Sequence, residues 1–226
     1  MNGVLTGFVG AVVEAWSELR VHRGRVLLSL IGVAVAVAAL TVVVALGSIA
    51  QQTIVESSER SGGRAATMTM NVFAESGQVD AVEVRRAFQE AAERYDIAWT
   101  TQNGYSTAQV RFVDGITSVP LRLVDVDYAV MHREPVEVGS WFREGDERRL
   151  APALVVNQVF WDRLGRPDPR THPTVELGGA EPRTAVIVGV QPDPGYEEFE
   201  PLAFALASQA TPQQLVESGG LQLEMW

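Results

Sequence analysis

VLLSLIGVAVAVAALTVVVALGSIA, residues 26–50, runs for 25 residues without a charge, a proline or an amide side chain. About 20 apolar helical residues cross the hydrocarbon core of a bilayer, and a run of 18 or more reads as a membrane span. At about 1.5 Å per residue this one reaches about 37 Å, enough to span with some tilt. The segment before it is short and the segment after it has soluble character. The chain therefore divides into a lead-in (1–25), a membrane helix (26–50), a stalk (51–64) and one large domain (65–226) on the far side.

The flanks set the expected orientation. Arg20, His22, Arg23 and Arg25 stand just before the apolar run, whereas Glu56, Glu59, Arg60 and Arg64 beyond it roughly cancel. Arginines near a membrane end favour the cytoplasmic side. The N-terminus is thus expected in the cytoplasm and the large domain outside it, periplasmic or extracellular. A cleaved signal peptide fits less well, because its apolar core is about 7–15 residues long and follows a short basic segment. Upstream, Val4, Leu5, Phe8, Val9, Val12, Val13, Trp16 and Leu19 fall on one helical face. That face suits a helix lying in the membrane interface, with Trp16, Arg20, Arg23 and Arg25 as cytoplasmic-side anchors; packing on a neighbouring protein is the alternative. Within the span, Gly32 and Ala36 follow a four-residue step, as do Ala34 and Ala38. Small residues at that spacing let helices approach closely in a membrane, so these four are the expected packing face.

Beyond the span, 51–64 continues the helix as a stalk ending at Gly62-Gly63. Residues 67–74 alternate as a strand. Residues 78–95 read as an amphipathic helix with Val79, Val82, Ala87, Phe88 and Ala91 inward. Strands are expected at 96–101, 107–114 and 117–126, then a turn-rich stretch with two exposed aromatics, Trp141 and Phe142. Residues 153–165 begin as a buried strand and change to a helix stopping at Gly165. A hairpin (174–177 with 184–191), a strand at 202–208, a helix start at Thr211-Pro212 and a last strand, LQLEMW (221–226), complete the pattern. The fold class is α+β, helix on sheet.

Composition excludes several chemistries. The net charge is −10, and the first 50 residues are slightly basic, so the outer domain is strongly acidic and ill suited to nucleic acid. No cysteine is present, which removes disulfides, thiolate catalysis and cysteine metal sites. No lysine is present either, so no P-loop can be formed. His22, His132 and His172 show no zinc spacing, and no G-x-S-x-G elbow occurs. Asp125 and Asp127 could form an acid pair or simply end a strand. Asp193, Glu197, Glu198 and Glu200 could bind calcium or line a solvated loop. Trp141 and Phe142 could meet a partner or edge the core. No residue pattern calls for a catalytic site, a cofactor or a metal.

Taken in order, AWSELRVHRGRVLLSLIGVAVAVAALTVVVALGSIAQQTIVES (15–57), the stretch 124–179 with its G-x-x-F-x-x-x-D turn (Gly139, Phe142, Asp146), and TAVIVGVQPDP (184–194) resemble the N-terminal part of MacB/FtsX-like ABC transporter permease subunits. The resemblance implies a first transmembrane helix followed by a MacB-like periplasmic core domain. It also implies a porter-like part (65–126 and 199–226) interrupted by a β-rich insert (127–198). It implies a non-catalytic subunit, a separate cytoplasmic ABC ATPase as partner, pairing with another permease as a homo- or heterodimer, and motion passed along the stalk for export or related work. Permeases of that family continue into three more membrane helices, so residues 1–226 are expected to be a piece of a longer product or a truncated one. A stand-alone, single-pass membrane-anchored binding or regulatory domain is the alternative.

Overall fold

The computed structural model describes residues 10, 16, 23–72, 81–178, 182–192, 200–210 and 221–226. Two compact units emerge, Met1–Val55 and Glu56–Trp226.

In the first unit the dominant element is helix α1, Arg23–Gly62, whose last turns belong to the second unit. It is long and apolar enough to cross a membrane. None of its residues is buried within this single chain, as expected of a helix whose solvent is lipid or other helices. Gly10 and Trp16 are helical too, and Trp16 is exposed; the rest of the expected interfacial helix, Arg20 included, lies outside the described residues.

The second unit is α+β. Its strands are β1 (Met68–Val72), β2 (Thr100–Phe112), β3 (Gly115–Val124), β4 (Val138–Gly139), β5 (Ala153–Val156), β6 (Thr174–Gly178), β7 (Arg183–Val190), β8 (Ala203–Leu206) and β9 (Leu221–Met225). Its helices are α2 (Ala81–Arg94), α3 (Tyr128–His132) and α4 (Gln158–Arg163), with short 3-10 turns at 146–148, 169–171 and 207–209.

Six strands close into a ring. β2 pairs β3, β3 pairs β8, β8 pairs β5, β5 pairs β7, β7 pairs β6, and β6 returns to β2 through Gln109 and Val110. Closure removes the free edges that an open sheet would present. Every second residue of β2 from Gly104 to Phe112 is buried, and Val119, Leu121 and Leu123 follow the same rule on β3. Val110, Phe112, Val119, Leu121 and Leu123 share one core with Leu154, Val156, Val175, Ala185, Ile187, Ala203 and Ala205. Helix α4 adds Phe160 and Trp161 to that core, with Phe160 edge-on to Phe112 at 4.9 Å.

β5 and β8 are buried on both faces, which is why ALVV and AFAL are continuous apolar runs rather than alternating ones. Their second faces, through Val155, Phe204 and Leu206, meet a further cluster holding Tyr128, Trp141 and Phe142. Of the two readings of Trp141 and Phe142, a partner contact or a core edge, the structure takes the second: Phe142 is buried, and half-buried Trp141 donates from Nε1 to the Val126 carbonyl (3.1 Å).

Outside the ring, β9 lies between β1 and the first four residues of β2, antiparallel to both. Helix α2 covers this small sheet, with Phe88 and Val84 on Leu223, Val72 and Met225. The inward face of α2 is Val84, Phe88, Ala91 and Ala92; Ala87, expected inside, is exposed. Val79 and the side chain of Val82 lie outside the described residues. Of the separate strand expected at 96–101 only Thr100 and Thr101 are strand, and they open the 13-residue β2. The helix expected after Thr211 lies outside the described residues.

Candidate functional site

The last turn of α1 leaves its carbonyls without helical partners, and its negative end favours a nearby cation. Gly63 ends the helix at φ 79°, a conformation that suits glycine. A Cβ there would lie 2.8 Å from the Thr67 hydroxyl, so the tight exit depends on its absence.

Helix α3 receives this end. The Arg60 carbonyl lies 2.9 Å from Nδ1 of His132. Arg64 donates its backbone N–H to the Met131 carbonyl (2.9 Å) and its Nε to the Val130 carbonyl (2.7 Å). Glu59 sits 2.7 Å from Nε of Arg133 as a charge contact rather than an aligned hydrogen bond. Arg133 is itself the cap of α3, with a left-handed φ of 49°. The αL residue lets the chain leave α3 at once and keeps its guanidinium on the stalk.

Strand β9 closes the joint from the other side. Glu224 Oε2 lies 2.5 Å from Nε2 of His132, with both side chains almost wholly buried. Oε1 of Glu224 accepts from Asn103 Nδ2 (3.3 Å). The Trp226 indole donates to the Ala65 carbonyl (3.1 Å) and underlies the Arg64 guanidinium at 5.0 Å, a cation–π distance. Trp226 and Trp99 exchange backbone hydrogen bonds of 2.9 and 3.2 Å.

Behind His132, Tyr128 stacks on the imidazole with centroids 4.0 Å apart and planes 12° from parallel. Its hydroxyl accepts from Arg122 (2.8 Å), and burial pushes its pKa up, keeping it neutral. Arg122 also donates to Tyr105 (2.8 Å). Glu134, just past α3, accepts from Gln191 (2.7 Å), and burial raises its carboxyl above the ordinary range. His132, Arg133 and Glu224 had no motif to single them out; only the fold brings 59–66, 128–134 and 222–226 together.

The residues proposed from sequence lie elsewhere. Asp125 Oδ2 accepts from the Gln102 N–H of β2 (2.7 Å), and Asp127 occupies the N-cap position of α3 without a side-chain cap. Burial raises the pKa of each carboxyl. His172 is exposed in a loop. Of the acidic loop, only Glu200 is among the described residues. No group of three or more His, Asp or Glu able to hold a metal occurs among the described residues. Gly32, Ala34, Ala36 and Ala38 all lie on α1, exposed. At 100° per residue, Gly32 and Ala36 make one stripe, and Ala34 and Ala38 another about half a turn round. Arg23 and Arg25 lie in the first turn of α1 and are exposed.

A long apolar helix followed by a ring-containing α+β body fits a membrane protein with an extracytoplasmic domain. The MacB-like periplasmic core domain family matches residues 26–219, and the chain belongs to that family. Two solved structures share the fold. The periplasmic region of MacB from Actinobacillus actinomycetemcomitans aligns with a TM-score of 0.54 at 16% identity, over 73% of this chain and 76% of that one. The extracellular domain of the noncanonic ABC-type transporter YknZ from Gram-positive bacteria aligns with a TM-score of 0.50 at 12% identity, over 70% and 83%. No curated protein matches the sequence.

Proposed function

We propose that this chain is a non-catalytic permease component of an ABC transporter. It carries motion from a separate cytoplasmic ATPase through its membrane helix and stalk (51–64) to the extracytoplasmic domain. The carrying observation is the joint: Glu59, Arg60 and Arg64 are tied to both α3 and β9, so movement of the stalk end reaches two remote pieces of chain at once. In this reading the N-terminus is cytoplasmic, and Trp16, Arg20, Arg23 and Arg25 anchor it at that interface. The stalk meets both the porter-like part (65–126 and 199–226), at its last residues, and the start of the insert (127–198), at α3, and the insert supplies three of the six ring strands, β5, β6 and β7. A second permease, a like or unlike copy, packs on a small-residue stripe of α1, Gly32/Ala36 or Ala34/Ala38.

The test uses the full chain in native membranes. A tagged copy is expected to co-purify with a Walker-motif ATPase, and Glu59→Ala with Arg133→Ala should change the hydrolysis rate of that complex. Absence of any ATPase, or hydrolysis indifferent to the joint, supports the stand-alone anchored domain instead. Because the chain lacks cysteine, single-cysteine variants report the helix contact directly. Cross-linking at one stripe and not the other identifies the packing face; none at either removes the proposed pairing through α1.

A further inference from the structure

The hydrogen bonds around His132 do not fit a neutral imidazole beside an ionised carboxylate. Nδ1 faces the Arg60 carbonyl at 2.9 Å, and a carbonyl only accepts, so Nδ1 carries a hydrogen. Nε2 faces Glu224 Oε2 at 2.5 Å, and an ionised carboxylate also only accepts. A neutral imidazole has one N–H, already used on Arg60. A further proton must lie between Nε2 and Oε2, as imidazolium with carboxylate or as imidazole with carboxylic acid. Without it, two lone pairs would face each other in a site closed to water, with the side chains 0% and 3% exposed.

We propose that the buried His132–Glu224 pair holds one shared proton that locks the stalk to β9, and that losing this proton unlocks the joint. The lock deepens the permease reading, and its bearing on transmitted motion rests on that reading.

The groups facing the imidazole come from every element packed around it. From α1 come the Arg60 carbonyl, at the negative end of the helix, and Glu59, already paired with Arg133. From α3 comes the stacked, neutral Tyr128. Glu134 follows α3, Glu224 lies on β9, and Asn103 on β2 holds the second Glu224 oxygen. Arg122 on β3 reaches the Tyr128 hydroxyl and opposes added positive charge. A free histidine loses its proton near pH 6.5. The closed joint is therefore the protonated form: with the proton in place both imidazole nitrogens have a partner, and without it Nε2 and Oε2 of Glu224 face each other as bare acceptors.

The absence of cysteine makes the measurement clean. Ser57→Cys and Thr69→Cys place spin labels on exposed positions of the stalk end and of β1, the strand beside β9. In the full chain in nanodiscs, one narrow distance is expected at about pH 5, broadening reversibly by about pH 9. Glu224→Gln should keep the narrow distance throughout, since the amide can donate to Nε2 and accept from Asn103 with no titrating proton. His132→Leu should be broad throughout, with circular dichroism reporting whether the domain has folded. A wild-type distance that stays narrow while the domain stays folded overturns the lock. So does a Glu224→Gln chain that broadens as the wild type does. Neither readout needs an ATPase, so the lock can fail while the permease reading stands, and the reverse.

Discussion

Asn157 joins three pieces of chain with one amide. Its Oδ1 caps α4 through the Phe160 N–H (3.0 Å) and also accepts the Leu202 N–H (3.0 Å), while its Nδ2 donates to the Glu200 carbonyl (2.9 Å). It is buried, so no water replaces those partners when they are lost. Asn157→Ala removes a cap worth about 1 kcal/mol and leaves buried donors unmet at about 1–3 kcal/mol, so a loss of about 3 kcal/mol is expected. Chemical denaturation checks it; a loss below about 1 kcal/mol would mean that the cap is dispensable. Glu134 makes a different residue-scale prediction. Burial outweighs the pull of Arg122 and holds its folded pKa above the unfolded value. Its contribution is therefore complete below the ordinary glutamate pKa of about 4.3 and is lost as pH rises through the folded value. Glu134→Gln avoids that loss and still can bond Gln191. Its melting point relative to wild type should be higher at pH 7 than at pH 4; an advantage that does not grow with pH would refute the assignment.

The elements that were legible in the sequence are those with a local signal of their own. The membrane run, the β6–β7 hairpin and the strand-to-helix change at Asn157 all follow simple patterns. β2 was read as two strands because its polar stretch, Gln102 to Ser106, interrupts the apolar alternation. Those residues mark where β2 leaves β9 and enters the ring, and the polar ones are buried because they have partners. Gln102 accepts from Arg85, at 2.5 Å to Nη2, and Asn103 donates to Glu224. Trp141 and Phe142 looked exposed because they lie in a turn-like segment, and tertiary packing decides between their two readings in favour of the core edge. The joint was invisible for a related reason: its residues are far apart in sequence and carry no periodicity. Gly63 was legible as a helix stop, although its contact with Thr67 was not. Gly63→Ala forces a left-handed alanine, at about 1–2 kcal/mol, onto a contact already occupied by the Thr67 side chain. The expected result is a lower melting point and faster tryptic cleavage after Arg64, while the ring tryptophan, Trp161, keeps its fluorescence. Unchanged cleavage would show that the stalk exit does not depend on glycine.

At the scale of the molecule, two bodies of unequal security share the second unit. The ring closes on itself and holds most of the buried apolar side chains. The small sheet of β1 and β9 is held by fewer contacts: Leu223 and Phe88 are its only fully buried apolar residues among those described in that cluster. Among the described pairings, β1 touches the rest of the sheet only through β9, from Met68↔Met225 to Val72↔Leu221. β9 also brings Glu224 to His132 and Trp226 to Arg64. Removing residues 221–226 therefore takes away the neighbour of β1 and half of the stalk joint in one step. Burial of Leu223 alone stabilises by about 1.5–3 kcal/mol, and the lost pairing and the orphaned, buried His132 add to that. The ring loses no strand by this change, and its near-ultraviolet circular dichroism should persist. Trypsin should now cut readily after Arg60 and Arg64, and the melt should separate into an early loosening of 56–72 and a later ring transition. A single cooperative melt with unchanged cleavage would mean that β1 and the stalk are fastened independently of β9. In that case α3 alone carries the joint, through Arg64 on the Val130 and Met131 carbonyls and Glu59 on Arg133.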